Sequence, residues 1–228
     1  MNISLTIFLS LLGGVLPSLV WLWFWMKEDK LHPEPRSKVA LTFLGGMLAV
    51  LLVLPVEKFI FSMGGSVVSN LTIFYWAIAE EMFKFIIAYF LALRMRENDE
   101  PIDAVIYMIT IALGFSALEN SLFLSNLINV QNFTQGIITG NMRFLGATLL
   151  HTASSATVGI MYGLSFYQSK SIKKIAILIG VSTSIILHTI FNLLIIESGD
   201  KIFFVFSGVW VLVTFVIVAI EKVKKTHI

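Results

Sequence analysis

The sequence contains no cysteine and little charge. Without cysteine, disulfide bonds, thiolate metal sites and a cysteine nucleophile are all excluded. Charged residues make up 13% of the 228 residues, whereas a soluble domain carries about 25%. Hydrophobic residues make up 57%, and the mean hydropathy is +0.88. Such a chain has too little polar surface to cover a water-facing exterior, so the composition predicts a multi-pass membrane protein.

Long apolar runs dominate the chain instead. A run of about 20 residues crosses a bilayer as a helix, because the backbone must satisfy its own hydrogen bonds in hydrocarbon. The first run has no basic segment before it and no small-residue cleavage motif after it, which favours a retained helix over a signal peptide. The pattern predicts an all-α bundle of seven transmembrane helices, at 5–26, 38–61, 67–93, 102–126, 141–167, 172–196 and 201–221.

Lysine and arginine are distributed unevenly between the predicted loops. Twelve of the sixteen fall on one side of the bundle, at most three fall on the other, and Lys84 lies inside a span. Loops rich in these residues stay in the cytoplasm. The N-terminus is therefore predicted outside, and the C-terminus in the cytoplasm, of a cell-membrane protein.

Five further ionisable residues lie inside four consecutive predicted helices. An ionisable group at bilayer depth costs several kcal/mol and usually faces a cavity or marks a function. At about 1.5 Å per residue, all of them fall in the middle to outer half of the membrane, so the side chains can meet. The five residues are Glu80, Glu81, Glu119, His151 and His188.

Residues at helical spacing could support this group. Glu80 and Lys84 are four apart, so the ammonium can neutralise one carboxylate. His188 and Asn192 are also four apart, and the amide could orient the imidazole. Asn120 adds another hydrogen-bonding group on the fourth helix.

Two chemistries are open to the set, and both hydrolyse a peptide bond. A glutamate can act as general base, with histidine and asparagine stabilising the oxyanion. Alternatively His151, His188 and Glu119 bind a divalent metal such as zinc, while a second glutamate takes the proton of its water. The sequence contains no H-E-x-x-H motif and no pair of membrane aspartates, which excludes two other designs.

Two functions without peptide hydrolysis compete with this interpretation. Intramembrane carboxylates and imidazoles also build proton relays, so a proton-coupled transporter is one alternative. A non-catalytic scaffold that binds membrane partners is the other. No inverted repeat or broken helix pair supports a transporter.

The ordered motifs resemble the PrsW family of bacterial intramembrane proteases. Glu80-Glu81-Met82-Phe83-Lys84 matches its E-E-x-x-K motif, and Phe115 to Asn120 matches F-x-x-x-E-N. The segment Pro33-Glu34-Pro35 resembles a family loop, and His151 and His188 fall where the family places histidines. The resemblance implies a single intramembrane protease domain over 1–228.

The family is similar in turn to the CAAX-protease and bacteriocin-processing superfamily, with its H-x-x-x-N motif. By that resemblance Glu80 or Glu81 activates water, and His188 with Asn192 supports the oxyanion. The PrsW family is classed with metalloproteases, whereas the superfamily favours a glutamate mechanism, so a metal stays open. The implied reaction is site-1 cleavage of a single-pass membrane anti-sigma factor near its external side, with the substrate entering from the bilayer.

Overall fold

The computed structural model describes residues 3–29, 32–130, 142, 146–197 and 202–226. Within these ranges it contains seven helices and no strand, which confirms the all-α prediction. The start of the fifth predicted span and of the seventh lies outside the described residues, and so do Lys30, Arg143 and Lys201, three of the sixteen lysines and arginines. The helices are α1 (Ile3–Trp25), α2 (Arg36–Met63), α3 (Asn70–Ala88, continued by a π-helical turn Tyr89–Leu93), α4 (Pro101–Val130), α5 (Ala147–Leu164), α6 (Lys170–Glu197) and α7 (Ile202–Val223).

Helix α4 forms the centre of the bundle. Of the residues in its most apolar 18-residue stretch, 94% are buried, whereas only 17% are buried in the corresponding stretch of α7. Helices α1, α2 and α5 pack directly against α4. The outer helices turn large apolar side chains outward, among them Leu44 on α2 and Phe204 on α7. A bundle in a lipid bilayer has apolar side chains on its outer surface and buries its central helix among the others.

Five of the seven helices are long and apolar enough to cross a membrane by themselves. The other two, α3 and α5, are not among these five over their described residues. Helix α3 contains Glu80, Glu81 and Lys84, and α5 contains His151 with several serines and threonines. Their polar side chains are buried inside the bundle. These two helices therefore depend on protein packing, not on lipid alone, to hold their polar residues in the membrane.

Small residues let α2 and α4 approach closely. A Cβ added at Gly114 would overlap the carbonyl oxygen of Phe43, and one added at Gly46 would overlap that of Ile111. Glycines allow such backbone contact between membrane helices. The close approach lies in the first half of α2, and on α4 it lies five residues before Glu119.

A buried polar network fixes the first connecting loop to the other end of α4. The backbone N–H of Glu34 donates to the Asp29 carboxylate at 3.1 Å, and the hydroxyl of Tyr107 donates to the Glu34 carboxylate. Burial raises the pKa of Glu34 above its ordinary value, an effect opposed by the bond from Tyr107. The Pro-Glu-Pro segment thus connects the start of α2 to the central helix α4.

Replacement of Gly114 by alanine tests the close helix contact. We expect Gly114→Ala to lower the free energy of unfolding by about 1–3 kcal/mol, because the added methyl group has to displace backbone of α2. Thermal unfolding of the detergent-solubilised protein measures the effect. Gly208→Ala is the control, because a Cβ at Gly208 meets nothing within 4 Å. Equal stability of the two variants would contradict close backbone contact between α2 and α4 at Gly114.

Candidate active site

Helices α3, α4, α5 and α6 bring all five predicted ionisable residues together. Glu80, Glu81, His151 and His188 are each at most 8% exposed. The imidazole rings of His151 and His188 meet edge to face, with centroids 4.9 Å apart. Glu119 lies next to them and is partly exposed. The prediction that these side chains converge is thus met in the geometry.

Glu81 is the most heavily bonded residue of the cluster. Its carboxylate accepts hydrogen bonds from the Lys84 ammonium at 2.5 Å and from the hydroxyls of Ser184 at 2.6 Å and Ser155 at 3.1 Å. The Nδ1 atom of His188 lies 2.8 Å from the Glu81 Oε1 atom. The Glu81 carboxylate is fully occupied in holding three helices together.

The partner of Lys84 differs from the sequence prediction. The spacing suggested Glu80, four residues away, but the ammonium bonds Glu81, three residues away. Both spacings place two side chains on one helical face. The surroundings decide between them, because α5 and α6 present hydrogen-bond donors to Glu81, and the cation completes that set. The partner of His188 also differs from the prediction, because its Nδ1 atom faces Glu81 and not Asn192.

A chain of polar contacts runs from Lys84 through His151 to Glu119. The Lys84 ammonium lies 3.1 Å from His151 Nδ1, and His151 Nε2 lies 2.8 Å from a Glu119 oxygen. An ammonium can only donate, so Nδ1 of His151 is the acceptor. The Nε2 atom of His151 therefore carries the proton and donates a hydrogen bond to the Glu119 carboxylate.

Glu80 differs from its neighbour in having an unused oxygen. Its Oε2 atom is buried and makes no hydrogen bond within the described part of the chain. That atom lies 3.8 Å from Nε2 of His188. Because Nδ1 of His188 faces a carboxylate, it carries the proton, and Nε2 presents a lone pair toward Glu80.

Two cavities meet at Glu80 and Glu119. One, of about 250 Å³, lies among α4 to α7 and also reaches His151, His188 and Asn192. The other, of about 210 Å³, lies between α2 and α4 and is lined by Glu57 as well. The two carboxylates therefore separate two spaces, and both spaces reach the reactive cluster.

The two predicted supporting amides have different positions. The amide of Asn120 donates to the hydroxyls of Ser116 and Thr148, each at 3.0 Å, and so connects α4 to α5. Asn192 lines the larger cavity one turn from His188. Asn192 is thus placed to contact a molecule in that cavity, whereas these bonds give Asn120 a packing role.

Three further residues, Glu57, Ser155 and Ser184, were not assigned to this site from the sequence. Glu57 lies inside the predicted span 38–61, but its position beside Lys58 resembles a helix end. Ser155 and Ser184 donate to Glu81, and a serine in a membrane helix carries no signal of that kind. The presence of an acid inside a predicted span was the one signal that could have identified Glu57.

The residues fit a divalent metal. Donor atoms of Glu80, His151 and His188 all lie within 4.8 Å of one another, and the Oε2 atom of Glu80 makes no hydrogen bond to any residue that the structure describes. Two imidazoles and one carboxylate form a ligand set of catalytic zinc sites. Glu81 supports His188 from behind, as outer carboxylates do for metal-binding histidines. The set predicted from the sequence contained Glu119 where this group contains Glu80.

Comparison with known proteins agrees with the motifs. The family model for PrsW family intramembrane metalloproteases matches residues 34–220. The chain belongs to the PrsW family. It is 29% identical over 160 residues to Protease PrsW of Geobacillus kaustophilus, covering 69% of this chain and 67% of that relative. It is 24% identical over 221 residues to Protease PrsW of Halalkalibacterium halodurans, covering 95% and 96%. No solved structure matches the chain.

Membership in the PrsW family confirms three predictions. The protein is an enzyme, a protease, and it is a multi-pass protein of the cell membrane. The family is described as metalloproteases, which makes a metal plausible and agrees with the fit of the Glu80 group. Peptide hydrolysis therefore takes precedence over the transporter and scaffold alternatives.

Removal of the buried cation tests the role of Glu81. We expect Lys84→Met to lower the free energy of unfolding by about 3–5 kcal/mol, because a buried carboxylate loses its counter-ion. Denaturant unfolding in detergent measures this loss, and Lys84→Met combined with Glu81→Leu should recover part of it. Lys224→Met is the control, since Lys224 pairs with Glu28 at a partly exposed site and should cost at most about 1 kcal/mol. Equal costs for the two lysines would contradict the assignment.

Proposed function

We propose that this PrsW-family protease is an intramembrane endopeptidase that cuts single-pass membrane proteins near the external end of their span. The observation that carries the proposal is the Glu80–His151–His188 group, which lies at a cavity large enough for part of a peptide. A hydrolase needs reactive groups, room for a substrate and a supply of water. The group and its two cavities offer all three.

The depth of the cluster supports cleavage near one face of the membrane. Glu80 lies ten residues after the start of α3 and Glu119 eleven before the end of α4, which corresponds to about 15 Å from these ends. His188 lies nine residues before the end of α6. In the orientation predicted from lysine and arginine, these ends are the external ones.

The walls of the larger cavity suit an apolar stretch of polypeptide. Phe123, Leu150, Phe191, Ile195 and Phe206 line it, and the reactive group lies on one side. An apolar substrate side chain would bind there, while Asn192 remains available to a backbone carbonyl. Substrate recognition in this proposal is thus mainly by hydrophobic contact, as expected for a membrane-spanning segment.

Glu80, His151 and His188 would hold a divalent metal of the zinc class. Such an ion, when bound, lowers the pKa of a water molecule and polarises the carbonyl to be attacked. Support for this assignment comes from His188, whose Nε2 lone pair faces Glu80, and from the Glu80 oxygen that makes no hydrogen bond among the described residues. His151 would bind the ion through one ring nitrogen after giving up its present contact to Lys84 or Glu119. Glu81 holds the His188 imidazole in place from behind.

Glu119 would take the proton from the attacking water and return it to the leaving amine. Its carboxylate borders both cavities and contacts His151. A proton held by the Glu119 carboxylate can therefore be exchanged with water in one cavity and with substrate in the other. The Asn192 side chain would donate to the oxyanion in the larger cavity. Glu81 has no such role here, because its oxygens are already engaged.

A single-pass anti-sigma factor is the proposed class of substrate. The family resemblance suggests it, and the external position of the cluster agrees with a first cut outside the cytoplasm. All seven helices contribute to one bundle in this proposal, which makes residues 1–228 a single protease domain.

New protein N-termini test the activity. Membranes from cells expressing the wild type should contain termini near the external ends of single-pass proteins, which are absent with Glu80→Gln. N-terminal mass spectrometry of both membrane fractions measures this. Lys224→Met serves as an expressed control that should cleave like the wild type. Identical termini in wild type and Glu80→Gln, with both proteins folded and abundant, would overturn the proposed cleavage.

Metal content separates the proposed roles of two carboxylates. Glu80→Gln should lose both bound metal and cleavage, since a ligand is removed, whereas Glu119→Gln should keep the metal and lose at least about a hundredfold in kcat. Elemental analysis of the purified variants gives the first quantity and turnover the second. Chelation should abolish wild-type cleavage, and added zinc should restore it. Persistent cleavage by metal-free protein would instead assign Glu80 as a direct general base.

A further inference from the structure

The smaller cavity, between α2 and α4, is not part of the substrate site proposed above. It is lined by Glu57 and Asn126 together with Glu80, Glu119 and apolar residues, among them Val53 and Leu54. Neither of the first two polar side chains belongs to a motif found in the sequence. The cavity contacts the reactive carboxylates from the side opposite the apolar pocket that we assign to the substrate.

The carboxylates around this cavity need solvation. Glu57 and Glu80 share a side-chain hydrogen bond, and both also interact electrostatically with Glu119 and with the Lys84 cation. The ammonium of Lys84 is already bonded to Glu81. Several carboxyl groups in a low-dielectric region are costly unless water hydrates them. A cavity of about 210 Å³ has room for several waters at about 30 Å³ each.

The position of the cavity connects it to one face of the bundle. Glu57 lies six residues before the end of α2 and Asn126 four residues before the end of α4, or about 9 Å and 6 Å from these ends. Asn126 is exposed. Both ends are external in the predicted orientation. Polar groups thus extend from the exposed rim at Asn126, past Glu57, to Glu80 and Glu119.

We propose that this cavity is the route by which water from the external side reaches the active site, with Glu57 as the residue that keeps it hydrated. The inference rests on the proposed peptidase function, since hydrolysis consumes one water for each bond cut. Glu57 is a positioning residue, because it acts through the water that it holds beside Glu80. Substrate and water then approach Glu80 from opposite sides.

The absence of cysteine makes this route directly testable by thiol labelling. Single cysteines at Leu54 and Asn126 would line the cavity, whereas one at Leu52, on the same helix as Leu54, would face lipid, where Leu52 is 44% exposed. A charged, membrane-impermeant methanethiosulfonate would be added to either face of oriented vesicles. The labelling requires no proteolytic activity.

We expect Leu54→Cys and Asn126→Cys to react from the external face, with Leu54→Cys at least about tenfold faster than Leu52→Cys, because only the thiolate reacts and an apolar setting suppresses it. The two positions on α2 differ by about 3 Å in depth, so depth alone does not produce such a ratio. Equal rates at Leu54 and Leu52, or labelling from the cytoplasmic face alone, would overturn the route.

Substitution of Glu57 tests its role in turnover. Glu57→Leu should lower kcat about tenfold with KM unchanged, because water is lost and substrate contacts are not. Glu57→Gln keeps a polar group and should lose less. No loss in Glu57→Leu, or an equal loss in both variants, would overturn the role of Glu57. An inactive wild type would instead count against the proposed function, and the labelling result would stand separately.

Discussion

The buried ion pair between Lys84 and Glu81 is the constraint on which the site depends. Lys84 is fully buried, and neither charge can remain in an apolar bundle without partners. Glu81 meets this need through hydroxyls of α5 and α6 and through His188, while Lys84 also reaches His151. The demand for partners therefore determines where α5 and α6 lie against α3. The two imidazoles that could bind a metal are positioned by the same contacts.

The pair also accounts for the contrast between two adjacent glutamates. Successive residues on a helix point about 100° apart, so only one of the two can face the donors of α5 and α6. Glu81 occupies that direction and becomes a structural anion with every oxygen engaged. Glu80 lines both cavities and, among the described residues, keeps one oxygen without a hydrogen bond. The E-E dipeptide thus supplies one carboxylate that holds the site and one that remains available for metal or water.

The sequence predicted the helices and the convergence of five site residues because both follow from strong, local signals. Long apolar runs define spans, and an ionisable group inside one is rare enough to stand out. The partner of Lys84 was not predictable, since spacings of three and four residues share a helical face and the neighbouring helices decide between them. Glu57 was not predicted as a site residue because it is close to the end of α2, where a charge beside Lys58 resembles an interfacial residue. The roles of Ser155 and Ser184 depend entirely on tertiary packing.

The arrangement of the cavities bears on how a peptide bond can be hydrolysed within a bilayer. A substrate helix has to stay in an apolar setting, whereas the reaction needs water and several hydrated carboxylates. A single opening for both would bring these two requirements into conflict, because water next to the substrate helix would expose the apolar side chains of that helix to solvent. In the proposed division of roles, Glu80 and Glu119 stand between an aromatic-lined cavity for the substrate and a carboxylate-lined cavity for water, so the two environments stay apart. Only the reactive atoms then need to meet both, which is consistent with the burial of Glu80 and the partial exposure of Glu119.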